Sequence, residues 1–194
     1  DLIAELTQRL GHDGGLRLHS SDVLDFDFCA LAGGAPLHLV GNLPYNISTP
    51  LLFHLYDQAH CIETMVFMVQ KEVAVRLAAP PGGRDYGRLS VMIQWRFDVE
   101  HLFDVGPGAF TPPPQVESTV VRLMPRAPRV ALRDPERFAR VVQAAFGQRR
   151  KTLRNALRDV VGLPAFERAG VDPNRRAETL TSLEFAILAN QPTE

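Results

Sequence analysis

Cysteine is close to absent from this chain: Cys29 and Cys61 are the only two in 194 residues. Two thiols cannot build a disulfide framework and neither lies in a CxxC pair, so the expectation is a reducing compartment. The six histidines are scattered without ligand spacing, which argues against a metal centre. No apolar run reaches the roughly 18 residues of a membrane span. Internal repeats and low-complexity tracts are missing too.

The chain does have an ordinary globular composition. Its hydrophobic content is 45% over a length that can bury a sizeable core, as one large domain or two small ones. The net charge of −1 conceals a segregation. Residues 1–125 hold 8 Lys/Arg against 14 Asp/Glu, residues 126–158 hold 10 against 2, and residues 159–194 hold 3 against 6. Within the basic stretch, Arg149, Arg150, Lys151, Arg154 and Arg158 lack the acids at i±4 that a self-paired surface helix would carry. A block of that density is the electrostatic footprint of a polyphosphate partner.

Residues 1–125 alternate β-like runs (16–19, 37–40, 65–69, 101–105, 119–123) with helical patterns (1–10, 50–58, 71–78, 89–97). That alternation predicts an α/β fold on a largely parallel sheet, and the last two strands have no helix between them, as where an antiparallel strand closes such a sheet. Gly11, Gly14 and Gly15 read as a turn after the opening helix, Thr49 as an N-cap and Pro50 as a first helical residue. Lys71 and Glu72 read as a pair on a helix surface. Past Pro125 the pattern becomes helical. Asp134-Pro135 has the form of a cap with a first-turn proline, and Thr181-Ser182-Leu183-Glu184 that of a capping box. Gly162-Leu163-Pro164 and Gly170-Val171-Asp172-Pro173 divide the region into three or four short helices, and Pro125 and Pro128 mark a linker.

The tetrapeptide Asn42-Leu43-Pro44-Tyr45 carries the most chemistry. It follows the apolar run 37–40 and precedes a helix start, the arrangement found at the carboxyl edge of an open α/β sheet, where ligands bind. The exocyclic amine of adenine is a poor nucleophile because its lone pair is delocalised into the ring. Two acceptors against its two N–H bonds draw the nitrogen towards tetrahedral geometry. The Asn42 amide oxygen can be one, and the Leu43 carbonyl the other, since a residue before proline is biased to extended geometry and Pro44 fixes the next φ. Tyr45 offers a ring on which an extracted base can stack.

The decapeptide Gly41-Asn42-Leu43-Pro44-Tyr45-Asn46-Ile47-Ser48-Thr49-Pro50 resembles the catalytic motif of the KsgA family, the small-subunit (16S) ribosomal RNA adenine N6,N6-dimethyltransferases. Further segments resemble the family in order: Val69-Gln70-Lys71-Glu72-Val73-Ala74-Val75-Arg76-Leu77, Tyr86-Gly87-Arg88-Leu89-Ser90-Val91, Phe110-Thr111-Pro112-Pro113-Pro114-Gln115-Val116-Glu117-Ser118, and Phe146-Gly147-Gln148-Arg149-Arg150-Lys151-Thr152-Leu153-Arg154-Asn155. The resemblance implies a Rossmann-like class I methyltransferase sheet over residues 1–125, with a small all-α, basic RNA-docking domain over residues 126–194. It implies S-adenosylmethionine as methyl donor, with Asp22, Val23 and Asn42 on the donor side. It implies that Phe110 covers the face of the target base opposite Tyr45. The partner implied is small-subunit ribosomal RNA within a pre-30S particle, met by a cytoplasmic monomer. The family's glycine-rich donor loop and the acidic residue ending its second strand have no counterpart here, because Asp1-Leu2-Ile3-Ala4-Glu5-Leu6 resembles the helix that follows them. The expectation is a chain lacking the N-terminal part of the catalytic domain, with its sheet incomplete there. Rival expectations are a large-subunit rRNA methyltransferase of the antibiotic-resistance type, a non-catalytic ribosome-assembly factor on the same fold, and a DNA adenine methyltransferase, whose usual Asn/Asp-Pro-Pro-Tyr Leu43 disfavours.

Overall fold

The computed structural model describes residues 2–10 and 15–192. The expected turn residues Gly11 and Gly14, and the helix start at Asp1, lie outside that range. Helix α1 (Leu2–Leu10) and the short α2 (Phe28–Ala32) precede strand β1 (Leu37–Asn42), α3 (Ser48–Asp57), β2 (Ile62–Gln70), α4 (Lys71–Ala78) and α5 (Arg88–Arg96). Strands β3 (Phe97–Val105) and β4 (Ser118–Pro125) close the sheet, and α6 (Pro135–Gly147), α7 (Leu153–Ala156), α8 (Leu163–Ala169) and α9 (Ser182–Ala189) follow.

The strand order is β1-β2-β4-β3. β1 runs parallel to β2, while β2/β4 and β3/β4 are antiparallel, so the sheet carries the expected antiparallel strand, and with it is mixed rather than largely parallel among the described strands. The reason is the β3–β4 connection, which has no crossover helix and returns the chain antiparallel. Central β2 alternates as a half-buried strand should, with Met65, Phe67 and Val69 all at most 3% exposed.

The run 16–19 is not a strand. Leu16 and Leu18 are 42% and 39% exposed, because its alternation supplies a face but no neighbouring strand completes a ladder among the described residues. The segment 28–32 forms a helix not anticipated from the pattern. Asp27 caps it by accepting from the Ala30 N–H at 2.8 Å, and Gly33 ends it at φ 57°. The opening of α3 also differs: it starts at Ser48 after Ile47, which makes no side-chain cap, so Thr49 and Pro50 already lie inside the first turn. The caps of the helical region form as expected, with Asp134 accepting from the Arg137 N–H at 2.9 Å and Thr181 and Glu184 bonding reciprocally.

Two apolar cores meet at α5. Leu89 and Ile93 face the sheet and join Leu52, Leu55, Met65, Phe67 and Leu123, whereas Val91, Met92 and Trp95 join Phe138, Val142, Phe166 and Phe185 of the helical layer. Leu89, Ser90, Val91, Met92, Ile93 and Trp95 are all buried, so most of α5 lies inside, with Arg88 at its exposed start.

Cys29 and Cys61 are joined in a disulfide, contrary to the expectation of unpaired thiols. Their separation of 32 residues gave no pattern to read, but the fold brings their Cα atoms to 5.3 Å.

Candidate active site

β1 ends at Asn42, and the chain leaves the sheet with the Leu43 N–H still bonded to the Met68 carbonyl at 3.1 Å. That last rung and the 6% exposure of Leu43 anchor the tetrapeptide to the core. Gly41 makes the approach possible: a Cβ there would lie 3.2 Å from Leu43 Cδ2 and 3.6 Å from the Phe67 ring. A turn follows, closed by the Ile47 N–H bonding to the Pro44 carbonyl at 3.1 Å. Buried Ser48, the first residue of α3, donates its hydroxyl to the Tyr45 carbonyl at 3.1 Å. The Tyr45 hydroxyl lies 2.9 Å from Ser118 Oγ on β4.

Asn42, Leu43, Pro44 and Tyr45 line one cavity of about 270 Å³ with Phe110, Pro112 and Pro114. The chain just after β1 and the β3–β4 loop, more than sixty residues apart in sequence, therefore both contribute to its lining. The volume is of the size a flat heterocycle needs. Among the described residues no donor reaches the Leu43 carbonyl oxygen, and the Asn42 amide makes no hydrogen bond. Both acceptors are thus uncommitted where the cavity begins.

The rim is charged. The Lys71 ammonium reaches Glu117 at 2.7 Å and Asp104 at 3.0 Å, rather than the expected neighbour Glu72. Asp104 also accepts from the Thr119 hydroxyl at 2.7 Å and lies 2.9 Å from His101 Nε2. The Thr119 bond, then His101 and Lys71, hold the Asp104 carboxyl well below the usual carboxylate range. Glu117, and then Asp104, raise the Lys71 ammonium above its ordinary value. Two of the larger cavities, of about 410 Å³ beneath α4 and about 470 Å³ between Tyr56 and Leu132, share no residue with the Asn42–Phe110 one.

Asp22 sits in an exposed turn, where one carboxylate oxygen accepts from the Leu24 N–H at 2.9 Å, an Asx-turn. Its second oxygen is uncommitted among the described residues, and Val23 beside it is half-buried. The segment behind this turn is fastened to α3: His54 Nε2 lies 2.8 Å from the Phe26 carbonyl, and Gln58 Oε1 accepts from the Phe28 N–H at 2.7 Å.

The basic residues differ in how free they are. Arg149 is held by Glu178 at 2.9 Å and by the Arg84 carbonyl, and Arg158 meets Asp159 at 3.4 Å. The absence of acids at i±4 hid the first pair, because Glu178 arrives from 29 residues away. Arg150, Lys151 and Arg154 have no acidic partner among the described residues. Arg149, Arg150 and Lys151, with Gly147 and Gln148, line a concavity of about 300 Å³ at the end of α6.

The family of ribosomal RNA adenine dimethylases matches residues 1–193. The chain belongs to that family. It is 55% identical to the ribosomal RNA small subunit methyltransferase A of Pseudomonas aeruginosa over 196 aligned positions, all of this chain and 73% of that protein. It is 56% identical to the protein of the same name from Xanthomonas campestris pv. campestris over 98% of this chain and 73% of that protein. Among solved structures, a dimethyladenosine transferase from Plasmodium falciparum superposes with a TM-score of 0.78 at 23% identity, over 96% of this chain and 76% of that one. The 23S rRNA methyltransferase ErmE superposes at 0.66 with 24% identity, over 97% and 76%. At those identities the likeness speaks for the fold, a Rossmann-like methyltransferase sheet, and the dimethylase family membership rests on sequence.

Sequence reasoning gave no role to Ser48 or Ser118. Both were inside segments quoted for the resemblance, but their bonds to Tyr45 follow from tertiary placement.

Proposed function

We propose that this protein transfers methyl groups from S-adenosylmethionine to N6 of two adjacent adenines of small-subunit ribosomal RNA, during ribosome biogenesis in the cytoplasm. The observation that carries the proposal is a cavity lined by Asn42, Leu43, Tyr45 and Phe110, in which the Asn42 amide and the Leu43 carbonyl have no hydrogen-bond partner among the described residues.

The target adenine leaves its stack, a rearrangement costing a few kcal/mol, and enters between Tyr45 and Phe110. Base–aromatic stacking of about 1–3 kcal/mol per base offsets part of that cost. Asn42 Oδ1 and the Leu43 carbonyl accept the two N–H bonds of the amine and turn its lone pair out of conjugation. No tuned general base is required, because the proton leaves an already alkylated, acidic nitrogen. S-Adenosylmethionine, when bound, supplies an electrophilic methyl with a neutral thioether as leaving group. The residues present fit it in part: the free oxygen of Asp22 is suited to an amino group, with Val23 alongside and Asn42 shared between donor and base. Orientation and electrostatics are what the protein adds.

Residues 1–125 would house this chemistry, while residues 126–194 dock the RNA backbone through Arg150, Lys151 and Arg154, with Arg149 and Arg158 at the margin. Those contacts position the substrate without reading its bases. We read the docked form as a monomer on a pre-30S particle. The high identity to proteins named for the small subunit favours that substrate over a large-subunit one, for which only the fold likeness to ErmE speaks.

The test is Asn42→Ala in the full-length protein. Removing one of two amine acceptors should lower single-turnover methyl transfer about 100-fold or more, the range for one preorganised polar contact at a reacting centre. Donor affinity should fall far less. Transfer at the wild-type rate would refute the mechanism.

A further inference from the structure

We propose that Ser118 is a positioning residue that sets the attitude of the Tyr45 ring against the target base. The inference rests on the base clamp proposed above and deepens it. Stacking does not explain the Tyr45 hydroxyl, since a phenylalanine would present much the same face to a purine. Nor does burial demand it, because Tyr45 is 36% exposed and its hydroxyl could be hydrated. The oxygen instead lies 2.9 Å from the hydroxyl of Ser118, which is fully buried. A buried hydroxyl needs a partner, and this one takes the ring tip.

The other end of Tyr45 is fixed as well. Ser48, 1% exposed, donates to the Tyr45 carbonyl at 3.1 Å, so the residue is held at backbone and at phenol by two buried serines from different elements. Ser118 can serve as a datum because its own placement is rigid. It opens β4, in register with Gln70 on one side and Val105 on the other. The residue before it is secured to α4, where the Lys71 N–H donates to the Glu117 carbonyl at 3.0 Å and the Lys71 ammonium reaches the Glu117 carboxylate at 2.7 Å. The same ammonium reaches Asp104 at 3.0 Å, near the other foot of the loop that carries Phe110. The Tyr45 ring is thereby referenced to the base of the loop that carries Phe110, which lines the same cavity, and the spacing of the two rings follows from that reference.

The experiment is a double-mutant cycle in the full-length protein with Tyr45→Phe, Ser118→Ala and both together, with Ser118→Thr as the conservative variant. Single-turnover methyl transfer is measured alongside donor affinity. The fluorescence of an RNA carrying 2-aminopurine at the target position reports the stacked base. Each single variant should transfer about five- to tenfold more slowly, the effect of one neutral hydrogen bond. The double variant should be no slower than either, donor affinity should be unchanged, and 2-aminopurine should be less quenched. Ser118→Thr should recover most of the rate. Tyr45→Phe breaks the same bond from the exposed side without leaving a core cavity, so the test survives if Ser118→Ala folds poorly. Wild-type rates in Tyr45→Phe, or independent multiplicative losses in the double variant, would overturn the proposal. Asn42→Ala, run in parallel, separates the two levels: if it is slow while the Ser118 and Tyr45 variants are normal, only the positioning role fails, and if it too is normal, the clamp itself does.

Discussion

Replacing Arg150, Lys151 and Arg154 together by glutamine tests whether the basic end of α6 and the start of α7 meet RNA phosphates. None of the three has an acidic partner among the described residues, so none must break an internal ion pair before binding. Each phosphate neutralised contributes about 0.7–0.9 to the slope of log K against log salt concentration. Losing three should lower that slope by about 2–3. Between 50 and 200 mM salt, a fourfold range, the wild-type affinity should then fall about 20- to 40-fold more steeply than that of the variant. Filter binding or fluorescence anisotropy with a small-subunit rRNA fragment, titrated at several salt concentrations, gives both slopes. Arg149→Gln is the contrast. Its guanidinium is already spent on Glu178 and on the Arg84 carbonyl, so its loss should alter the slope by less than about 0.5. An unchanged slope in the triple variant, or an equal drop from Arg149→Gln alone, would refute the assignment of the free cations as the docking surface.

Gly41→Ala would press a methyl to within 3.2 Å of Leu43 Cδ2, so stability should fall by about 1 kcal/mol, the low end for overpacking, while methyl transfer falls further because the Leu43 carbonyl moves; denaturation and single-turnover rates together check this. The ion pairs of Lys71 also carry a pH signature. Asp104 is depressed, so its contribution is present above the ordinary carboxylate value and lost only as pH falls through the lower folded one; Lys71 is raised, so its contribution is present below the ordinary lysine value and lost as pH rises past it. The difference in melting temperature between wild type and Lys71→Met should therefore be flat from about pH 5 to 9 and shrink outside that window, as a thermal series across pH would show. Phe138→Ala removes a fully buried ring whose centroid lies 5.4 Å from that of Trp95, and should cost about 3–5 kcal/mol in denaturant unfolding.

What could be read from the sequence follows contact range. Asn42 to Tyr45 lie in one turn whose chemistry is set by Pro44, and the capping residues Asp134 and Thr181 act within three positions of themselves, so local rules found them. Phe110 was placed opposite Tyr45 by resemblance, and both line the same cavity. Contacts that cross the sequence had no such signature. The Tyr45–Ser118 bond spans 73 residues, Arg149 finds Glu178 across 29, and the Cys29–Cys61 bridge spans 32. The run 16–19 failed for the same reason inverted: alternation is local, whereas being a strand requires a neighbour.

Helix α5 gives little to water beyond Arg88 and the edges of Gln94 and Arg96, since one face completes the sheet's interior and another completes that of the helical layer. A hybrid protein that exchanged everything after Pro125 with a distant relative would leave Val91, Met92 and Trp95 facing side chains they did not evolve beside. The natural seam for recombination is therefore not the proline-marked stretch in the covalent chain. It runs along the surface of residues 88–96, and a successful graft must carry the ring of Trp95 and its Phe138 partner from one parent.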